Sequence, residues 1–187
     1  RWEYVDRSQA DYHHLWTINP DGTGQMVYYG NQRPGGVFID AKPIPGTNRV
    51  VMANIPGHGS NEHCGYVAVA SGRHGPNASG SIRNVSKARD CRDPYPLSED
   101  YFLAAYSFDA LVGEPLANKP NMFGIYLVDA FGNRELLYRD LNIASVWPTP
   151  SPAEGRCVSA AAARTPPAAS RSASLSGRSS AGRVRRM

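Results

Sequence analysis

Prolines bracket three short segments at nearly even intervals: Pro43-Ile44-Pro45, Pro94-Tyr95-Pro96 and Pro148-Thr149-Pro150. Counted between first prolines, the intervals are 51 and 54 residues, close to the periods of repeat architectures. A proline has no N–H to give a ladder, so two of them in three residues confine a strand to a sheet edge. A second echo keeps the same beat. Leu15-Trp16-Thr17-Ile18-Asn19-Pro20-Asp21-Gly22-Thr23 returns about two periods later as Ile125-Tyr126-Leu127-Val128-Asp129-Ala130-Phe131-Gly132-Asn133. Each is an apolar run, an amide or acid, a glycine turn and a second apolar run. The repeating unit is therefore about fifty residues long and built of strands. One such unit cannot bury both its faces, so it needs neighbours.

Runs rich in β-branched and aromatic residues, bounded by turn formers, place the clear strands at 14–19, 25–29, 49–54, 65–70, 101–107, 124–129 and 135–138. Weaker runs lie at 2–5, 38–43, 81–85 and around Tyr95. No sustained helical period occurs before residue 150, which argues against parallel βαβ units. Val50-Val51-Met52-Ala53, Tyr66-Val67-Ala68-Val69 and Phe102-Leu103-Ala104-Ala105 are apolar at consecutive positions. A sheet with one wet face would alternate. Antiparallel sheets covered on both sides occur in the radial packing of propeller blades.

The expected fold class is thus all-β. Residues 1–150 read as a partial antiparallel β-propeller of about two to three four-stranded blades, with each proline-rich segment as the innermost strand. The segments at 2–5, 14–19 and 25–29 read as the last three strands of an earlier unit, and Val146-Trp147-Pro148-Thr149-Pro150 as the start of a further one. From residue 151 to 187, Ala, Ser and Arg dominate, and that segment reads as a disordered tail without enough apolar bulk to offset ordering entropy. The chain opens on a strand-like segment without Met or a leader, as a piece of a longer protein would. The tail reads as something other than the fold's native continuation.

Charge divides the same way. Residues 1–150 carry 13 Lys+Arg against 15 Asp+Glu, a net of −2, whereas 151–187 carry seven Arg and one Glu, a net of +6. No basic stripe lies on the body, so nucleic acid is not an expected partner. No run of eighteen apolar residues predicts a membrane-spanning helix. Cys64, Cys91 and Cys157 form no CxxC and no CxxCH, which excludes a zinc ribbon and a covalently attached c-type haem on this chain. Cys64 and Cys91 read as two half-buried free thiols, or as a pair if their strands are neighbours.

Two sets of residues could carry a site. In Gly57-His58-Gly59-Ser60-Asn61-Glu62-His63-Cys64, the side chains of His58, His63 and Cys64 are of the types that select Zn²⁺ or another transition metal. The spacing matches no standard zinc motif, and a plain polar glycine-rich loop is the alternative. Asp40 and Asp93 precede two innermost strands and could bind a ligand or cation at the mouth of a central channel. Their alternative role is to cap backbone N–H groups in a turn. Trp2, Trp16 and Trp147 suggest either an aromatic sugar-binding surface or packing between blades. His13 and His14, if on a strand, would point to opposite faces and could not chelate together. No Ser-His-Asp order, GxSxG, paired-carboxylate spacing or phosphate loop is present.

The segment Leu15-Trp16-Thr17-Ile18-Asn19-Pro20-Asp21-Gly22-Thr23-Gly24 resembles the third-strand-and-turn signature of TolB-type, WD40-like propeller repeats. Arg1-Trp2-Glu3-Tyr4-Val5-Asp6-Arg7, the stretch 40–46, and Arg92-Asp93-Pro94-Tyr95-Pro96-Leu97-Ser98 resemble the middle propeller domain of proteins related to the hydrazine synthase alpha subunit, abundant in planctomycete bacteria. The resemblance covers about residues 1–150 and implies a periplasmic or exported protein. In that family the chemistry belongs to c-type haems outside the propeller. No catalytic residue and no haem is therefore carried over to this chain. The function expected is a non-catalytic scaffold or interaction domain, whose partners are the remainder of its own propeller and flanking domains. The alternatives are a part of a metal- or haem-dependent redox enzyme and a carbohydrate- or peptide-binding propeller.

Overall fold

The computed structural model describes residues 13–31, 36–56, 63–113 and 116–151. Ten strands form within them: β1 (Leu15–Thr17), β2 (Met26–Tyr29), β3 (Val37–Pro43), β4 (Arg49–Ile55), β5 (Tyr66–Ser71), β6 (Ile82–Asn84), β7 (Cys91–Pro96), β8 (Tyr101–Ser107), β9 (Phe123–Asp129) and β10 (Arg134–Tyr138). They make a two-stranded hairpin, β1-β2, and two four-stranded antiparallel sheets, β3-β4-β5-β6 and β7-β8-β9-β10. The chain is all-β, and neither sheet closes on itself. Among the described residues the one helical element with its own span is a single 3₁₀ turn, Gly72–His74. The segments at 2–5 and 152–187 lie outside the described residues.

The echo found in the sequence is an identity of turn geometry. After β1, Asn19 N–H donates to Thr23 O and Gly22 N–H to Asn19 O, each at 2.9 Å. After β9, Asp129 N–H donates to Asn133 O and Gly132 N–H to Asp129 O, each at 3.0 Å. Gly22 and Gly132 take the fourth position of these turns at φ +87° and +80°, which only glycine adopts freely. β1 and β2 are thus the equivalents of β9 and β10, the third and fourth strands of their unit.

Burial on both faces accounts for the unbroken apolar runs. Val51, Val67 and Val69 of the first sheet meet Phe102, Ala104, Tyr106 and Val128 of the second in one cluster. Their chain neighbours Met52, Ala68 and Ala70 point the other way, against Leu15 and Tyr29 of the hairpin and Phe38. Side chains alternate along a strand, so both sets must be apolar when both sides are covered. Each large side chain buried this way contributes roughly 1.5–3 kcal/mol.

The proline-bearing first strands of the two four-stranded sheets, β3 and β7, lie at sheet edges as their prolines require. Their register corrects the proline pairing. Pro43 pairs with Val50 and Pro96 with Phe102, each at the close of its first strand. Pro45 lies beyond β3, in the turn to β4. Pro43 is therefore the counterpart of Pro96 rather than of Pro94. The same bulge interrupts both ladders, between Ile39 and Lys42 in β3 and between Arg92 and Tyr95 in β7. In each, the residue after the break is an aspartate with left-handed backbone, Asp40 at φ +56° and Asp93 at φ +53°. Trp147 has the same value, +53°, three residues before Pro150. The structural period is thus 53 and then 54 residues. No strand forms among residues 146–150 themselves.

Candidate functional site: an acid pair where the innermost strands meet

The bulge sets the site. A left-handed backbone is costly for most side chains and least so for Asn and Asp, whose short polar side chains tolerate it. It turns Asp40 and Asp93 out of the alternation of their strands, and the structure brings the two side chains together across the boundary between the sheets. Asp93 is fully buried at 0% exposure and Asp40 nearly so at 8%. Asp93 Oδ2 accepts from Arg92 Nε at 3.0 Å and from the backbone N–H of Trp147 at 3.3 Å. Asp93 Oδ1 has no donor among the described residues.

Burial is the main cause that lifts the Asp40 carboxyl to about 6. The charge of Asp93 and a hydrogen bond between the two carboxyls add to it, while Lys42 and Arg92 pull the other way. Lys42 sits between the repeats. Its Nζ donates to the Pro94 carbonyl at 2.9 Å and lies 5.7 Å from the centre of the Trp147 ring. Burial lowers its pKa, against the pull of Asp40 and Asp93. Two carboxyls and two cations leave the cluster near neutrality when all are ionised.

Asp40 and Asp93, singled out from the sequence, therefore meet. Asp93 does receive a backbone N–H, but from Trp147, 54 residues on, and not from its own turn. Lys42 and Arg92 were missed, and so was the place of Trp147 beside the acid pair. Their signal was position: Lys42 stands two residues after Asp40, Arg92 one before Asp93, and Trp147 one repeat after Asp93.

The other candidates lie elsewhere. His58 is outside the described residues, and no group of three or more His, Cys, Asp or Glu that could hold a metal occurs among those described. His63 has a left-handed backbone, φ +59°. Cys64 is wholly buried with Ala105, Met122 and Phe123. Cys64 and Cys91 form no disulfide and are fully buried rather than half-buried, although Gly65 and Cys91 bridge their segments through paired backbone hydrogen bonds of 2.9 and 3.2 Å. Burial pushes the Cys91 thiol far above its usual range, which makes it a poor nucleophile. Cys157 and Trp2 lie outside the described residues. Trp16 packs beside His14 and Trp147 beside Lys42. His13 and His14 precede β1, so the opposite-face reading has no strand to rest on.

Comparison with protein-family models, with curated proteins and with solved structures gives no match.

Proposed function

We propose that this chain is an arc of a β-propeller that serves as a non-catalytic scaffold, in an exported protein of the kind the hydrazine synthase alpha subunit resemblance suggests. One observation supports it most. Three residues spaced 53 and 54 apart share a left-handed backbone, and they touch through the Trp147-to-Asp93 hydrogen bond, the Asp40–Asp93 carboxyl contact and the Lys42 ammonium over Trp147. Successive repeats that keep their first strands side by side are what a ring around a common axis requires. The acid pair is buried and charge-compensated, which suits a junction between repeats better than a reaction centre open to substrate. No described helix is long and apolar enough to cross a membrane.

An arc leaves one sheet face waiting for the next unit. Leu103, Ile125 and Leu127 lie on the side of the second sheet turned away from the first, and all three are only half-buried. Sedimentation velocity of the 187-residue chain over a hundredfold range of concentration is expected to show association driven by that face. A sharply melting monomer at every concentration would overturn the scaffold-arc reading.

A further inference from the structure

Away from the acid pair, two hollows flank Arg134, of about 320 and 370 Å³. Tyr106 and Arg134 line both. Arg89 lines the first and Lys87 the second, so the walls carry three cations against the carboxylates of Asp90 and Asp109. Tyr106 is 3% exposed, and its hydroxyl finds no hydrogen-bond partner among the described residues. A buried hydroxyl left unpaired costs about 1–3 kcal/mol, so something that accepts a hydrogen bond belongs beside it.

Arg134 is held for such a role. Its guanidinium lies flat on the Tyr106 ring, 3.6 Å from the centroid. Its carboxylate partner among the described residues is Asp90, at 3.8 Å, beyond hydrogen-bond distance. Stacking fixes the plane of the guanidinium and leaves its edge donors free to form a fork with a planar or tetrahedral oxyanion. Burial holds the Asp90 carboxyl above its ordinary range despite the pull of Arg134, which weakens it as an internal competitor. We propose that the crevice around Tyr106 and Arg134 binds an oxyanion, the carboxylate or phosphate group of a small ligand, with the Tyr106 hydroxyl and the Arg134 guanidinium as its donors and Arg89 and Lys87 as flanking charges.

The test titrates the 187-residue chain with inorganic phosphate and, separately, with sodium acetate, at ionic strength matched with sodium chloride. The side-chain Nε–H resonance of Arg134 is followed by NMR. A saturable shift with one probe and not the other identifies the source of the oxyanion, and a saturable shift with both places the selectivity in the rest of the ligand. Tyr106→Phe removes only the unpaired hydroxyl and should leave folding intact while weakening the apparent affinity about tenfold. Arg134→Gln should abolish saturation, whereas Lys119→Gln, which lines neither hollow, should leave it unchanged. Shifts that rise linearly with both probes, or a Tyr106→Phe titration that superimposes on the wild type, would overturn the proposal.

Discussion

The two four-stranded sheets follow one plan and differ in what covers them. The first is packed on both sides: its central strands read apolar at consecutive positions because Val51 faces the second sheet and Met52 faces the hairpin. The second is packed fully on one side only. Phe102, Ala104 and Val128 are buried against the first sheet, while Leu103, Ile125 and Leu127 remain half-buried and every residue of β10 is exposed. A similar apolar pattern is therefore buried to different depths in the two sheets, and position decides how much each side chain contributes.

The largest break in that comparison is expected in the first sheet. Met52→Ala should cost about 2–5 kcal/mol, because Met52 is wholly buried and the cavity cannot collapse between two layers. Leu127→Ala on the open face should cost about 1 kcal/mol or less. Urea denaturation of the two variants measures the difference, and equal losses would mean that the second sheet is covered after all. Next comes the link between the sheets. A β-carbon on Gly65 would press into the backbone of Asn54 and Ile55, so Gly65→Ala should destabilise by about 1–3 kcal/mol. The same substitution at Gly113, with open space around it, should be close to neutral in the same denaturation experiment.

The acid pair sharpens the comparison through pH. The Asp40 carboxyl is raised from an ordinary 3.8 to about 6, so its contribution to stability is fully present below pH 3.8 and is lost as pH rises through 6. The two values bound the effect at about 3 kcal/mol, with the opposing pull of Lys42 and Arg92 already contained in the raised value. Asp40→Asn should flatten the melting temperature over that window. A variant that keeps the wild-type slope would show that the Asp40 carboxyl is not the group that sets it. A small effect is expected at the turn after β9. Asp129 accepts from the N–H groups of Phe131 and Asn133, each at 2.9 Å, and from the Asn133 amide at 2.8 Å. Hydrogen bonds on an exposed turn are worth little net, so Asp129→Ala should cost about 1 kcal/mol in thermal denaturation.

Much of the fold was legible from local chemistry. Strands such as β4, β5 and β8 announced themselves because both faces needed apolar residues, and the Asn19–Thr23 and Asp129–Asn133 turns because glycine at positive φ is hard to replace. The register of β3 and β7 was not, since an edge tolerates proline at more than one position and Pro43 and Pro94 are not counterparts. The acids before the prolines were the better ruler: Asp40 and Asp93 stand 53 apart. Their meeting could not be read from spacing, because contact between separate repeats depends on how the sheets stack. The link from Trp147 to Asp93 was not legible because it is carried by backbone conformation and not by side-chain type.

That last point has a consequence for how such a chain can lengthen. Asp93 grips the following repeat by its main-chain N–H, a handle that every residue but proline presents. The side chain at the gripped site is thereby released from the duty of fastening one unit to the next. It can drift to tryptophan, or to whatever the axis of the assembly requires, while the joint itself stays in place.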